Sequence, residues 1–140
     1  MTQKASKSVR RIWVIVNTTS VISMLVMNYL YAFFHLNKIY LLFEIIPLIL
    51  IILSFRIAFV KTHLWKLTHS IKDKLDERQV QIVYGALSKS YTIFVLIALI
   101  TIYVFTIADR GPIDAITAAC LLYLSHILPA SILAWTEKEV

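Results

Sequence analysis

Glycine occurs twice in these 140 residues, proline three times and cysteine once, and each scarcity removes a class of function. With only Gly85 and Gly111, there is no glycine-rich loop to cradle a phosphate. Nor does the chain contain a dinucleotide fingerprint, a Gly-x-Ser-x-Gly elbow or a His-Glu-x-x-His zinc helix. The lone Cys120 excludes an internal disulfide framework and a multi-cysteine metal site, and within an apolar run it reads as a small packing residue. Charge is also sparse: 16% of residues are charged, where a soluble domain has about a quarter. These absences lead to the expectation of a protein that is not an enzyme and carries no cofactor.

What is abundant is apolar surface. Hydrophobic residues make up 59% of the chain, and a small soluble domain buries only about 60–70% of what its unfolded chain exposes. A bilayer resolves that conflict. About 20 apolar residues suffice for a helix to cross roughly 30 Å of hydrocarbon. Four runs qualify: 12–34, 39–60, 91–107 (extendable toward its N-terminal end) and 113–135. Each is predicted to be helical, because lipid offers backbone N–H and C=O groups no partner and a helix satisfies them internally. The first run is too long for the core of a signal peptide and no small-residue cleavage site follows it, so it is expected to remain as a span.

Unequal connections organise the four spans. Residues 35–38 and 108–112 are tight turns, so the first and second spans form one helical hairpin, and the third and fourth another. Between them lies a polar segment, 61–90. The fold class expected is therefore all-α: one integral membrane domain over 1–140, built as two hairpins joined by a cytoplasmic helical segment.

Orientation follows from the basic residues. Eleven Lys and Arg flank the spans at the N-terminus, the central segment and the tail, against Lys38 and Arg110 at the opposite turns. The positive-inside rule then places both termini and the central segment in the cytoplasm of a plasma-membrane protein. Trp13, Trp65 and Trp135 fall at that same face, and Tyr29, Tyr31 and Tyr40 near the other. The net charge of +6 is thus assigned to membrane orientation rather than to nucleic acid.

Two readings of the central segment stand side by side. In one, Leu64, Leu67, Ile71 and Leu75 form the stripe of a helix that continues the second span outward. A new helix then starts at Asp76, whose side chain caps the Gln79 N–H, with Glu77 favourable in its first turn. That helix runs from Glu77 to Ile107, about 45 Å. In the other, the part before Asp76 lies in the headgroup layer, anchored by Trp65 and drawn to anionic lipid by its lysines.

Lys74-Leu75-Asp76-Glu77-Arg78-Gln79, followed by Ile82, Ala86 and a polar run into a hydrophobic span, resembles a motif of small prokaryotic membrane proteins of unknown function. Those proteins carry an Asp-Glu-Arg signature before their third helix. The resemblance covers residues 74 to about 103, implies a four-helix architecture and supplies no activity. On the residues alone, Asp76, Glu77 and Arg78 are either a helix start or a site for a cytoplasmic protein partner.

Ionisable groups inside a span cost at least about 2.5–3.5 kcal/mol at the helix centre, so each needs an account. Arg56 stands one turn from the cytoplasmic end of its span, where a long side chain snorkels. Asn17, with Thr18 and Thr19, lies at similar depth as a partner. The Asn17-Thr18-Thr19 sequon is expected to be unused at that position. Glu44 lies about five residues inside the outer end of the second span, three before Pro47. Either it is protonated and bonded to Asn28, or with Asp114 it lines an outward-facing polar pocket for a cation or proton. His126, near the middle of the fourth span and three residues before Pro129, is either bonded to Tyr123, Ser125 or a facing helix, or part of a proton relay with Glu44. His69, Asp73 and Glu77 share a face at i, i+4, i+8 if the helix is unbroken, a spacing metal ligands use.

The leading functional expectation is a small membrane protein acting by protein interaction, in a regulatory, accessory or self-protection role. The alternative is an oligomeric transporter or channel subunit for a cation or proton, resting on Glu44, Asp114 and His126. In either case the chain is expected to sit in a lipid bilayer, and homo-oligomers fit both.

Overall fold

The computed structural model describes residues 7–69, 75–108 and 111–137. Among them the chain is all-helical, with α1 at Lys7–Phe34, α2 at Ile45–Phe55, α3 at Leu64–His69, α4 at Glu77–Ile107 and α5 at Ala115–Thr136. A 3₁₀ stretch, Lys38–Glu44, precedes α2, and a π-helical turn, Arg56–Val60, follows it. Among the described residues, four helices are long and apolar enough to cross a membrane: Lys7–Phe34, Ile39–Val60, Glu77–Ile107 and Ala115–Thr136. The chain divides into two units, residues 1–64 with 137–140, and residues 65–136.

In the first unit α1 packs on α2. The buried positions of α1 are Arg10, Val14, Asn17, Ser20 and Val21, a single stripe at helical spacing. Ala58, Phe59 and Leu64 complete the interior, each fully buried. Helix α1 stops where His35 takes a left-handed conformation, φ 50°, and Leu36 N–H reaches back five residues to Tyr31 O at 3.2 Å. That is a Schellman-type C-cap, made here by histidine in the place glycine usually fills. Asn37 then caps the 3₁₀ stretch through its side chain, accepting from Ile39 N at 3.2 Å.

The second span differs from a uniform helix. Pro47 is the third residue of α2, where a missing N–H costs nothing. Upstream of it the chain keeps only i→i+3 geometry, as in Tyr40 N–H to Asn37 O at 2.9 Å. Downstream, the α ladder gives way to the π turn closed by Lys61 N–H on Arg56 O at 2.9 Å. The helix does not run on from there into the central segment. His63, at φ 60°, turns the chain before α3 begins, and α3 is described over Leu64–His69. Ile71 and Asp73 lie outside the described residues; of the Leu64–Leu75 stripe, Leu64 is fully buried and Leu67 half-buried on α3, and Leu75 is half-buried outside any helix, just before Asp76.

In the second unit α4 packs on α5. Val83, Ala86 and Ser90 are the buried face of α4. Helix α5 buries Thr117, Cys120, Ile127, Pro129, Ala130, Leu133 and Ala134, which keeps Cys120 in the packing role its apolar setting indicated. The 31 residues of α4 extend about 46 Å, well beyond what hydrocarbon alone requires.

Candidate functional site

The start of α4 is built by its own sequence. Asp76 has extended backbone (φ −70°, ψ 164°). Its Oδ1 accepts from Gln79 N–H at 2.7 Å, while Gln79 Oε1 accepts from Asp76 N–H at 3.2 Å. Two backbone donors that a helix leaves open are satisfied reciprocally, a capping box. The Asp76 cap and the helix limits Glu77–Ile107 agree with the sequence reading; the return bond from Gln79 was readable from Asp-x-x-Gln spacing and was missed. Asp76, Glu77 and Arg78 are all exposed. Beyond them the first half of α4 presents Gln81, Tyr84, Gly85, Ser88 and Lys89 to the outside, with Tyr84 70% and Tyr91 71% exposed. Of the four span helices, α4 is the least buried.

A second polar site was not foreseen. Trp65 and His69, one turn apart on α3, stack face to face with ring centres 3.8 Å apart and planes within 12°. The His126 ring of α5 lies parallel to His69, 9° between planes and 6.2 Å between centres. Both imidazoles are held the same way. His69 Nδ1 is 2.8 Å from Thr68 Oγ1 and 3.3 Å from Trp65 O. His126 Nδ1 is 3.2 Å from Ser125 Oγ and 2.9 Å from Leu122 O. A carbonyl only accepts, so Nδ1 carries the proton in each neutral ring and Nε2 is the lone-pair nitrogen. Desolvation lowers the His69 pKa from its ordinary value; the bond to the Trp65 carbonyl opposes this, and the proximity of His126 adds to the lowering. The Ser125 bond to His126 is among those the sequence suggested. The His69–His126 pairing is tertiary, and its only sequence trace is the repeated Ser/Thr-His dipeptide at 68–69 and 125–126.

The remaining candidates fall in separate places. Asp114 caps α5: its Oδ1 accepts from Thr117 N–H at 2.9 Å and its Oδ2 from Thr117 Oγ1 at 2.8 Å. Asp114 and His126 are twelve residues apart along one helix, about 18 Å, so they share no local site. Glu44 belongs to the first unit, at the junction of the 3₁₀ stretch with α2, and is 8% exposed. Asn17 is fully buried and donates Nδ2–H to Ser54 Oγ at 2.8 Å and to Ile51 O at 3.1 Å. Ser54 Oγ in turn donates within its own helix, to Leu50 O at 2.6 Å and Ile51 O at 3.1 Å. Ser54 was missed because a lone serine in an apolar run carries no signal of its own. Arg56 is exposed at the π turn that follows.

Among the described residues no group of three or more His, Cys, Asp or Glu side chains is placed to hold a metal ion. Of the His69, Asp73 and Glu77 set, Asp73 lies outside the described residues. No family model, curated protein or solved structure matches this chain.

Proposed function

We propose that this chain is a non-enzymatic multi-pass membrane protein that works by protein interaction. Its two helical hairpins cross the plasma membrane with both termini and the central segment in the cytoplasm. The partner engages the first turns of α4, at Glu77, Arg78 and Tyr84. The observation that carries the reading is the build of α4: 31 residues long, capped at Asp76, exposed through its charged and aromatic first half, and longer than a span needs. The Glu77 and Arg78 side chains are exposed, so their charges are available to a complementary surface. A second copy of the chain is one candidate partner.

The test is affinity purification of the tagged chain from native membranes in mild detergent, comparing wild type with Glu77→Lys, Arg78→Glu and Tyr84→Ala. These three leave the Asp76–Gln79 cap in place. A partner retained by wild type and lost from the variants, at equal insertion, supports the reading. Equal recovery from all four removes it.

The buried Glu44 favours one second reading, an oligomeric cation or proton transporter. In that case Glu44→Gln abolishes a pH-dependent flux into liposomes that the wild-type protein supports; a wild-type protein without flux eliminates it.

A further inference from the structure

Helix α4 has two unlike sides. Val83, Ala86 and Ser90 are its buried positions, and α4 packs on α5. Each residue advances about 100° around a helix, so a second line, Gln81, Gly85, Ser88, Thr92 and Leu99, runs along the side away from that face. All five are exposed, Leu99 at 58%. Their alternating steps of four and three residues, then seven, are the spacing of a seam between two helices lying side by side. The Thr92 hydroxyl donates to Ser88 O within its own helix at 3.2 Å, so it enters such a seam without stranding a donor.

Gly85 is the least expected residue on the line. It stands inside a helix of 31 residues, where glycine is a poorer helix former than alanine. The left-handed backbone that favours glycine occurs at Gly111 and not here, and a Cβ at 85 would meet nothing within 4 Å. Neither the backbone nor the packing inside this chain calls for glycine. Close approach of another helix does.

The make-up of the line selects what covers it. From Gln81 to Thr92 it is polar or small, unlike the large apolar side chains that meet lipid tails. At Leu99 it has passed into the span, where a water-soluble partner cannot follow. A helix that crosses the membrane and also extends beyond it meets both conditions, and α4 itself has that build. Glu77 and Arg78 make the pairing self-complementary. As consecutive residues they straddle the start of the line, about 100° apart. Copies inserted the same way bring their α4 helices together in parallel, and two-fold symmetry then sets Glu77 of each copy against Arg78 of the other.

We propose that α4 pairs two copies of this chain in parallel along Gln81, Gly85, Ser88, Thr92 and Leu99, with Glu77 of each copy facing Arg78 of the other. The pairing rests on the interaction reading of α4 and names a second copy as the partner.

The experiment is oxidation of single-cysteine variants in native membranes, in a Cys120→Ala background. Ser88→Cys and Thr92→Cys should give a disulfide-linked dimer. Leu87→Cys and Ile93→Cys, exposed on α4 but off the line, should give about fivefold less, because a disulfide needs close and aligned Cβ atoms. Gly85→Trp, added to Ser88→Cys, should lower the dimer about tenfold by overpacking the seam. Glu77→Lys and Arg78→Glu should each lower it about threefold, and the two together should restore it, since unlike charges again face each other. A foreign partner of fixed charge is not recovered by that double exchange. The pairing is overturned by equal or absent cross-linking around α4, by a Gly85→Trp protein that still dimerises, or by a double exchange that stays low. If a different protein then co-purifies with wild type and is lost on Glu77→Lys, the interaction reading stands without the second copy; if none does, both fall.

Discussion

Removing the Asn17 amide should unfasten α1 from α2, and the structure sets the size of the effect. Asn17 is fully buried and reaches across to Ser54 Oγ at 2.8 Å and Ile51 O at 3.1 Å. Hydrogen bonds between helices in membranes contribute about 0.6 kcal/mol on average and at most about 1.7. Two of them, with the packing lost when the amide is truncated, put Asn17→Ala at about 2 kcal/mol, or roughly 30-fold in the unfolding constant. Ser54→Ala should cost less, about 1 kcal/mol, because two of the bonds its hydroxyl makes stay within its own helix. Since the two side chains touch, the double variant should fall short of the sum by about 0.6 kcal/mol. The assay is unfolding in mixed micelles titrated with sodium dodecyl sulfate and followed by circular dichroism, with exposed Thr19→Ala as the control. An Asn17→Ala protein as stable as that control, or a coupling energy of zero, refutes the claim that this network holds the two helices together.

Other outcomes follow from the caps and the imidazoles. Asp76→Ala should cost about 1 kcal/mol and speed amide exchange over Gln79 and Val80, while Asp76→Asn, still a good cap, leaves both near wild type. Asp114→Ala should loosen the first turn of α5 by a similar amount, read by exchange at Thr117, with Asp114→Asn close to wild type. A transport role for Asp114 makes the opposite forecast, that Asp114→Asn loses flux. Because the His69 pKa is lowered in the folded chain, stability should fall as pH drops below about 6.5. Comparing wild type with His69→Phe by micelle unfolding at pH 7.5 and 5.0 should show that decline only in the wild type.

The spans were legible because their signal is additive: long apolar runs need no knowledge of their neighbours. The start of α4 was legible because a cap is local, and Asp76, Glu77 and Gln79 carry it within four residues. What escaped the sequence depends on contacts between segments or on competition for carbonyls. Nothing in a run such as Leu48 to Leu53 announces that a span will be 3₁₀ at one end and π-helical at the other. The π turn begins just after Asn17 and Ser54 engage the carbonyls at Leu50 and Ile51, where a side chain inserted into the ladder loosens it. Asn17 reads from the sequence as a partner for Arg56, whereas its amide engages Ser54, two residues deeper in the second span, and Ile51 O. His69 was read for its spacing to Asp73, along its own chain, and its contact with His126 crosses between elements.

Once local duties are assigned, the polar residues sort themselves. Asp76 and Asp114 spend their carboxylates on backbone N–H groups at helix starts. Asn17 and Ser54 hold α1 to α2. His69 and His126 have their Nδ1 atoms engaged with the carbonyls one turn back. This partition weakens a joint role for Asp114 and His126, because both of the carboxylate oxygens at 114 are already bonded to Thr117 and the histidine lies about three turns away. It also narrows the proposed interaction surface. A partner that needed the Asp76 carboxylate would have to compete with the capping box and unwind the helix it was recognising. Glu77 and Arg78, exposed beside that cap with no comparable local duty among the described residues, meet a partner without that cost. Tyr84, two turns on and 70% exposed, adds an amphipathic ring of the kind that anchors interfaces. On the proposed interaction, the capping box would keep the surface rigid, and Glu77, Arg78 and Tyr84 would set its specificity.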